Sequence, residues 1–441
     1  MAQDQIKSVQ GTEDLLPGQW GHWRRLYGTA QRLFELYGYG QMRTPILEDA
    51  RLFVKGTGET TDIVQKQMYS IPTGDPSMRS REAESIALRP EGTPSVVRSY
   101  LEHNLHKQEA FQKLYYVGPM FRHERPQKGR LRQFHQLGVE AIGSASPLLD
   151  AETVILAVDI FRQLGLKDFR VFLNSIGCAE CRPRLRSEMR ARLEAREGEL
   201  CEDCRARLER NVFRVLDCKN ERCRAVVAEL PPMTEGLCDA CKAHYADVRS
   251  ALERSGVAHE EDPHLVRGLD YYTRTVYEIK HAGLGARDTI CGGGRYDGLV
   301  ELLGGPSMPC VGFAIGAEAT ILAMEAEAGP AADTTPRPSV YVVCFAEEAR
   351  AECFALAQEL RRAGVAADMD FQQRSPKAQM RAAGKLSAAV CLLLGPDELK
   401  RDEVSVRTMA DGRQWNVPRA SVVREVSALA KLKKGGGDAA E

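Results

Sequence analysis

The chain has 441 residues, 43% of them apolar and 27% charged, with a formal net charge of −1. That is ordinary for a soluble globular protein of two or three domains, and a nucleic-acid partner would have to be met by local basic patches rather than a global field. No run approaches the length needed to cross a bilayer, and the opening MAQDQIKSVQGTEDLLP lacks the basic-then-apolar order of a signal peptide, so a cytoplasmic protein without a membrane partner is expected.

Gly11-Thr12-Glu13-Asp14 reads as a turn into a helix from about Gly18 to Tyr37, where Trp23, Leu26, Ala30, Leu33, Phe34 and Tyr37 form one apolar stripe. Gly38 and Gly40 stop it. An extended segment follows over Met42–Glu48, and Pro45 within it suggests an edge or an interface. Asp62–Leu88 reads as strand material with a polar hairpin at Thr73–Glu84. Thr93 before Pro94 then starts a helix running to about Asn104. Glu91 sits in the loop before that helix, where a carboxylate also simply complements the dipole.

A hairpin comes next. Its first strand, Tyr115–Glu124, places Arg122 and Glu124 on one face. Its loop carries Arg125, Lys128, Arg130 and Arg132 around Pro126 and Gly129. Its second strand alternates: Leu137, Val139 and Ala141 face one way, and Gln136, Gly138 and Glu140 the other. Such a face, with an amide, bare backbone and a carboxylate beside guanidinium groups, suits a small polar ligand with an anionic partner. Alternatively, Glu140 is a rim carboxylate paired with Arg132.

An amphipathic helix over Asp150–Gly165 and a strand over Phe169–Asn174 lead to a cysteine-rich stretch. Eight of the 13 cysteines lie there, as Cys178-x2-Cys181, Cys201-x2-Cys204, Cys218-x4-Cys223 and Cys238-x2-Cys241. An odd total in a large signal-less chain argues against a disulfide framework. The pair spacing points instead to structural Zn²⁺, eight thiols sufficing for two four-thiolate sites, with the sharing of pairs left open. Cysteine-tolerant helical packing is the competing explanation. Val266–Glu278 reads as a strand, Gly292-Gly293-Gly294 as backbone that something approaches closely, and Val311–Glu318 as a strand entering a helix. After a linker, Gly329–Pro338, alternating strands and helices run from Val340 to Leu432, a second domain of α/β type.

Four stretches carry a resemblance. FRHERPQKGRLRQFHQLGVE resembles motif 2 of the class II aminoacyl-tRNA synthetases, and its wording is that of the histidyl-tRNA synthetases. LVRGLDYYTRTVYE and GGGRYDGL are similar to two signatures of that family, and the segment with Pro45 resembles class II motif 1, which builds the dimer interface. The resemblance implies an α+β fold: an antiparallel-sheet catalytic core over 1–328, interrupted by a cysteine-rich, mainly helical insertion at 176–258. A linker at 329–338, an α/β anticodon-binding domain at 339–432 and a disordered tail at 433–441 would follow.

It implies ATP-dependent activation of L-histidine to histidyl-adenylate and transfer to the 3′ end of the tRNA for histidine by a homodimer, with Mg²⁺ on the outer phosphates. Arg267 and Arg122 would be the catalytic cations. Glu91, Gly92, Thr93, Arg122, Gln136, Glu140, Arg267, Tyr271 and Tyr272 would bind histidine, and Arg122, Glu124, Arg130, Gly294 and Arg295 would bind ATP. Cys178, Cys181, Cys201, Cys204, Cys218, Cys223, Cys238 and Cys241 remain the zinc candidates on spacing alone, because the best-known family members lack such pairs.

One departure stands out: the motif-3 arginine, which packs on the adenine in the family, aligns with Ala319. That is the one feature favouring a non-catalytic relative, a regulatory subunit of the first enzyme of histidine biosynthesis. A third reading makes the insertion an RNA-binding module in its own right.

Overall fold

The computed structural model describes residues 5–71, 85–125, 130–285 and 288–434. The chain divides into two compact units between Asp333 and Thr334, inside the stretch read as a linker.

The first unit is built on an eight-stranded sheet. Its order is Gly40–Gln41, Gln112–Phe121, Gln133–Ile142, Cys310–Gly316, Thr289–Arg295, Thr273–His281, Phe169–Ser175 and Glu260–Glu261. All neighbours are antiparallel except the outermost pair at each edge. Alternation along the second strand of the central hairpin is kept, whereas the first strand ends at Phe121, short of Arg122 and Glu124: Leu137, Val139 and Ala141 are fully buried in the core beneath the sheet, with Leu26, Ala30 and Phe34 of the helix Trp20–Leu36. Phe34 stacks on Tyr115 at 5.0 Å between ring centroids. Burying such side chains stabilises the unit by about 1.5–3 kcal/mol each. The helices Pro147–Gln163 and Ala317–Ala328 complete that layer. The opposite face keeps Glu140 buried, and it is the face on which the ligand residues gather.

Several sequence expectations shift. The strand expected over Val266–Glu278 begins only at Thr273 and runs to His281, so Val266–Tyr272 is a loop. Asp270 explains why. Its amide donates to the Thr57 carbonyl (3.1 Å), and its carboxylate accepts from Thr60 Oγ1 (3.0 Å) and Asn211 Nδ2 (2.7 Å). The residue is a junction, and a ladder position could not hold those three partners at once. A helix over Ala50–Thr57, capped by Asp49, was not anticipated, and Ile63–Gln67 is a π-helical turn rather than strand. The expected hairpin at Thr73–Glu84 lies outside the described residues apart from its flanking strands, Tyr69–Ile71 and Ile86–Leu88.

The insertion is helical (Cys181–Glu194, Glu202–Arg210, Glu221–Ala228 and Asp239–Arg254) and shares a core with the loop carrying Tyr271 and Tyr272. In the second unit, Ala367–Met369, Val340–Cys344 and Val390–Leu394 pair in parallel, and Glu403–Thr408 and Gln414–Pro418 extend the sheet antiparallel. Its expected strands and helices are present with shifted ends, plus a short helix at Pro396–Arg401. Most of the expected tail, 435–441, lies outside the described residues.

Candidate active site

A small cavity of about 110 Å³ opens on the ligand face of the sheet. Glu91 and Thr93, at the start of the helix Thr93–Glu102, form one wall; Gln136 and Glu140 form the floor; Arg267, Tyr271 and Tyr272 come from the loop pinned by Asp270. Glu91 is buried and accepts from Thr57 Oγ1 and from Tyr271 Oη (2.8 Å); burial, opposed by those two donors, raises its carboxyl above the usual range. Glu140 accepts from Thr93 Oγ1 at 2.6 Å and from the Tyr296 hydroxyl, and burial pushes it up to about 8. Burial also pushes Tyr272 up to about 12. The Gln136 Oε1 is buried with no hydrogen-bond partner among the described residues, an acceptor that costs stability unless a ligand N–H meets it.

Glycine makes this packing possible at two positions. A Cβ on Gly312 would stand 2.2 Å from Glu140 Oε2, and one on Gly292 would stand 2.2 Å from Arg267 Nη2. The glycine run therefore admits a protein guanidinium, where the sequence suggested a ligand.

Arg122 and Arg267 line this cavity and a second one of about 450 Å³, within the range of ligand pockets. Arg122 donates to the Pro90 carbonyl (2.9 Å) and lies 5.1 Å over the Phe134 ring; Arg267 pairs with Glu278. Arg130, paired with Glu124 at 2.5 Å, also lines the large cavity, as do Glu318 and Ala319. Two basins thus meet at two fixed guanidinium groups, a geometry suited to bringing a small zwitterion against a phosphate.

The comparisons with known proteins give the family. The family model described as histidyl-tRNA synthetase matches residues 11–320, and that of the anticodon binding domain matches residues 339–429. The histidine–tRNA ligase of Halothermothrix orenii is 46% identical over 424 residues, covering 96% of this chain and 99% of its own; that of Moorella thermoacetica is 47% identical over 415 residues, covering 94% and 96%. The apo histidyl-tRNA synthetase of S. aureus superposes with a TM-score of 0.78 at 35% identity, covering 96% of this chain and 99% of its own. The chain belongs to the histidyl-tRNA synthetase family.

Not every residue expected at the site lines one of the two cavities. Glu91, Thr93, Arg122, Gln136, Glu140, Arg267, Tyr271 and Tyr272 line the small cavity, and Arg122, Glu124 and Arg130 the large one. Gly92 instead makes room for the Tyr116 ring, which a Cβ would meet at 2.3 Å. Gly294 and Arg295 line neither cavity. The Arg295 guanidinium is fully buried, bound to Asp150, Asp297 (3.1 Å) and the carbonyls of Ser144 (2.9 Å) and Ser146 (3.2 Å), which makes it a strut of the core. Arg132 does not touch Glu140; it donates to the carbonyls of Glu124 and Gln10, so the rim alternative for Glu140 falls. Sequence reading missed Tyr116, Tyr296, Phe134 and the insertion residues Arg214, Asp217 and Lys219. Tyr116 registers opposite Gly138, so strand parity carried its signal; the insertion residues carried none.

The cysteines resolve into two groups. Cys178, Cys181, Cys238 and Cys241 converge at the stem of the insertion, and Cys201, Cys204, Cys218 and Cys223 at its far part, the four sulfurs of each group lying within 4.8 Å of one another. The pairs therefore nest, first with fourth and second with third. Cys178 Sγ is 3.6 Å from Cys181 Sγ and 4.0 Å from Cys238 Sγ, Cys181 Sγ is 3.8 Å from Cys241 Sγ, and Cys201 Sγ is 3.9 Å from Cys218 Sγ. Four sulfurs around an ion at about 2.3 Å are about 3.8 Å apart, so both groups could hold a metal. The amides of Cys238 and Cys201 donate to Cys181 Sγ (3.1 Å) and Cys223 Sγ (3.2 Å), an orientation that would stabilise metal-bound thiolates.

Proposed function

We infer that the chain activates L-histidine with ATP and transfers it to the 3′ end of the tRNA for histidine. The observation that carries this reading is the pair of cavities sharing Arg122 and Arg267, one rich in hydrogen-bonding groups for an amino acid and the other large enough for a nucleotide. Glu91, Thr93 and Gln136 would hold the α-ammonium group. Glu140 and Tyr272 would meet the two imidazole nitrogens, and an analogue lacking those nitrogens would leave buried polar atoms unpaired. The ionised substrate carboxylate needs no base: its oxygen attacks the α-phosphorus and pyrophosphate leaves with the electrons of the broken P–O bond. Arg122 and Arg267 stabilise the charge that grows on the α-phosphate oxygens. In the second step a ribose hydroxyl of the tRNA attacks the acyl carbonyl and AMP leaves. Of the carboxylates that line the large cavity, Glu124, Glu278 and Asp288, one or two would hold Mg²⁺ together with the phosphates of ATP, and the ion when bound would neutralise the outer phosphates.

The anticodon-binding family match over 339–429, which lies in a separate unit, supports a tRNA substrate. Nothing in the relatives favours the regulatory-subunit alternative. The two cysteine groups would hold structural Zn²⁺, one ion each. Exposed Ile46 and Leu47, in the segment that resembles motif 1, fit a homodimer interface, and the cytoplasm fits a chain in which no described helix is long and apolar enough to cross a membrane. Histidine-dependent exchange of pyrophosphate into ATP tests the reading: exchange is expected with histidine and absent without it, and a protein inert with both substrates sinks it.

A further inference from the structure

Among the described residues, the large cavity is lined by five cationic side chains, four of which have a partner within the protein. Arg267 pairs with Glu278, Arg130 with Glu124, and Arg214 with Asp62 at 2.7 Å, while Arg122 donates to the Pro90 carbonyl. Lys219 is the fifth. It is exposed at the cavity and, among the described residues, has no hydrogen bond or ion pair within 4 Å; the charged group that feels it is Asp217, itself a lining residue. Lys219 comes from the insertion, and its backbone is fixed on both sides. Cys218, before it, belongs to the far cysteine group and donates its amide to the Val215 carbonyl (3.1 Å). Asn220, after it, caps the helix Glu221–Ala228 through Arg222 N (3.0 Å). A mobile surface lysine would pay side-chain and backbone entropy on binding; here the backbone part is already fixed. The same cavity offers only a methyl group at Ala319.

We propose that Lys219, presented by the cysteine-bound loop of the insertion, binds the polyphosphate of ATP. The proposal rests on the ATP reading above and adds a nucleotide contact contributed by the insertion. An ammonium group in no ion pair within 4 Å is free to turn toward an incoming polyanion, and its contact with a phosphate oxygen is a charge-assisted hydrogen bond.

The test is ATP affinity by calorimetry together with the KM for ATP and for histidine in pyrophosphate exchange, for the full chain and its Lys219→Ala and Lys219→Arg variants. Lys219→Ala should weaken ATP about tenfold in both measurements and leave the KM for histidine within about twofold, as expected for loss of one charged hydrogen bond. Lys219→Arg should keep most of the affinity. Unchanged ATP affinity in Lys219→Ala overturns the proposal. So does full recovery in Asp217→Asn/Lys219→Ala, which would mean that Lys219 only offsets Asp217. Wild-type protein that binds ATP but catalyses no exchange would sink the ligase reading while the calorimetric comparison still judged Lys219. Wild-type protein that binds no ATP would overturn both.

Discussion

The close approach of Arg267 to Gly292 separates folding from chemistry. In Gly292→Ala the new Cβ would lie 2.2 Å from Nη2, 2.4 Å from Cζ and 2.7 Å from Nη1 of Arg267. Ordinary carbon contacts are about 3.5–4 Å, so the guanidinium must withdraw by about 1 Å or more. The end of an arginine can do so without moving backbone, and Gly292 lies within a regular ladder opposite Glu278 and Ala314, so the fold should survive. The displaced group, however, is the cation shared by both cavities, held by Glu278. A misplacement of about 1 Å at a reacting centre costs on the order of a hundredfold, or about 2.7 kcal/mol of barrier. Pyrophosphate exchange should therefore fall about a hundredfold in kcat/KM while the thermal midpoint drops by only a few degrees. Gly298→Ala, where a Cβ meets nothing within 4 Å, is the matched control and should stay within about twofold. Near-normal exchange in Gly292→Ala would refute a role for the Arg267 guanidinium at the position described.

Glu140 makes folding depend on pH. Its folded pKa of about 8 is above the usual 4.5, so the stability it contributes is complete below about 4.5 and is lost as pH rises toward 8. Unfolding free energies of wild type and Glu140→Gln should diverge by up to about 1.4 kcal/mol per pH unit between about pH 4.5 and 8, at the expense of wild type, and run parallel above it; parallel curves throughout would remove the buried-carboxyl assignment. Arg295→Met leaves Asp150 buried with only His244 (2.7 Å) opposite, and should lose about 3–5 kcal/mol in urea unfolding; a variant of unchanged stability with a raised KM for ATP would return Arg295 to the nucleotide site. Elemental analysis should find two zinc ions per chain, falling to one in Cys238→Ser and to one in Cys218→Ser; a metal-free wild type rejects both sites. Ala319→Arg places a guanidinium in the large cavity and should lower the KM for ATP severalfold, a cation–π or phosphate contact being worth about 1–2 kcal/mol.

How much of this was legible in the sequence depended on whether the signal was local. The alternation of Leu137, Val139 and Ala141 against Gln136 and Glu140 fixed which face was core and which was site, because a pleated strand has no other way to distribute those side chains. The first helix was legible for the same reason, its stripe at 3.6-residue spacing matching the buried set Trp23, Leu26, Ala30, Leu33 and Phe34. Val266–Tyr272 misled: its aromatic and β-branched neighbours have strand propensity, but Asp270 draws partners from Thr57, Thr60 and Asn211, which are distant in sequence, and tertiary bonds won over local preference. Arg295 misled in the opposite sense. A motif places a residue near a site, yet only packing shows whether its charge is spent on a ligand or on Asp150. The nesting of the cysteine pairs was hidden too, since four CxnC-type pairs are compatible with several pairings and only the return of the chain through Asp239–Arg254 to the end of Phe169–Ser175 selects one.

That return path also explains why the insertion can belong to the catalytic chemistry. The stem cysteines stand beside the backbone pairing of Gly177 and Ile176 with Arg274 (2.9 and 2.8 Å), and Arg182, next to Cys181, donates to the carbonyl of Tyr272 (3.0 Å). Asn211 and Arg214, between the two halves of the far group, hold Asp270 and Asp62. An element fastened at those points cannot shift without moving the loop that carries Arg267, Tyr271 and Tyr272. Its cysteine groups therefore bear on the geometry of both cavities, and chelation of the proposed Zn²⁺ should register in substrate affinity before it registers in the melting of the sheet.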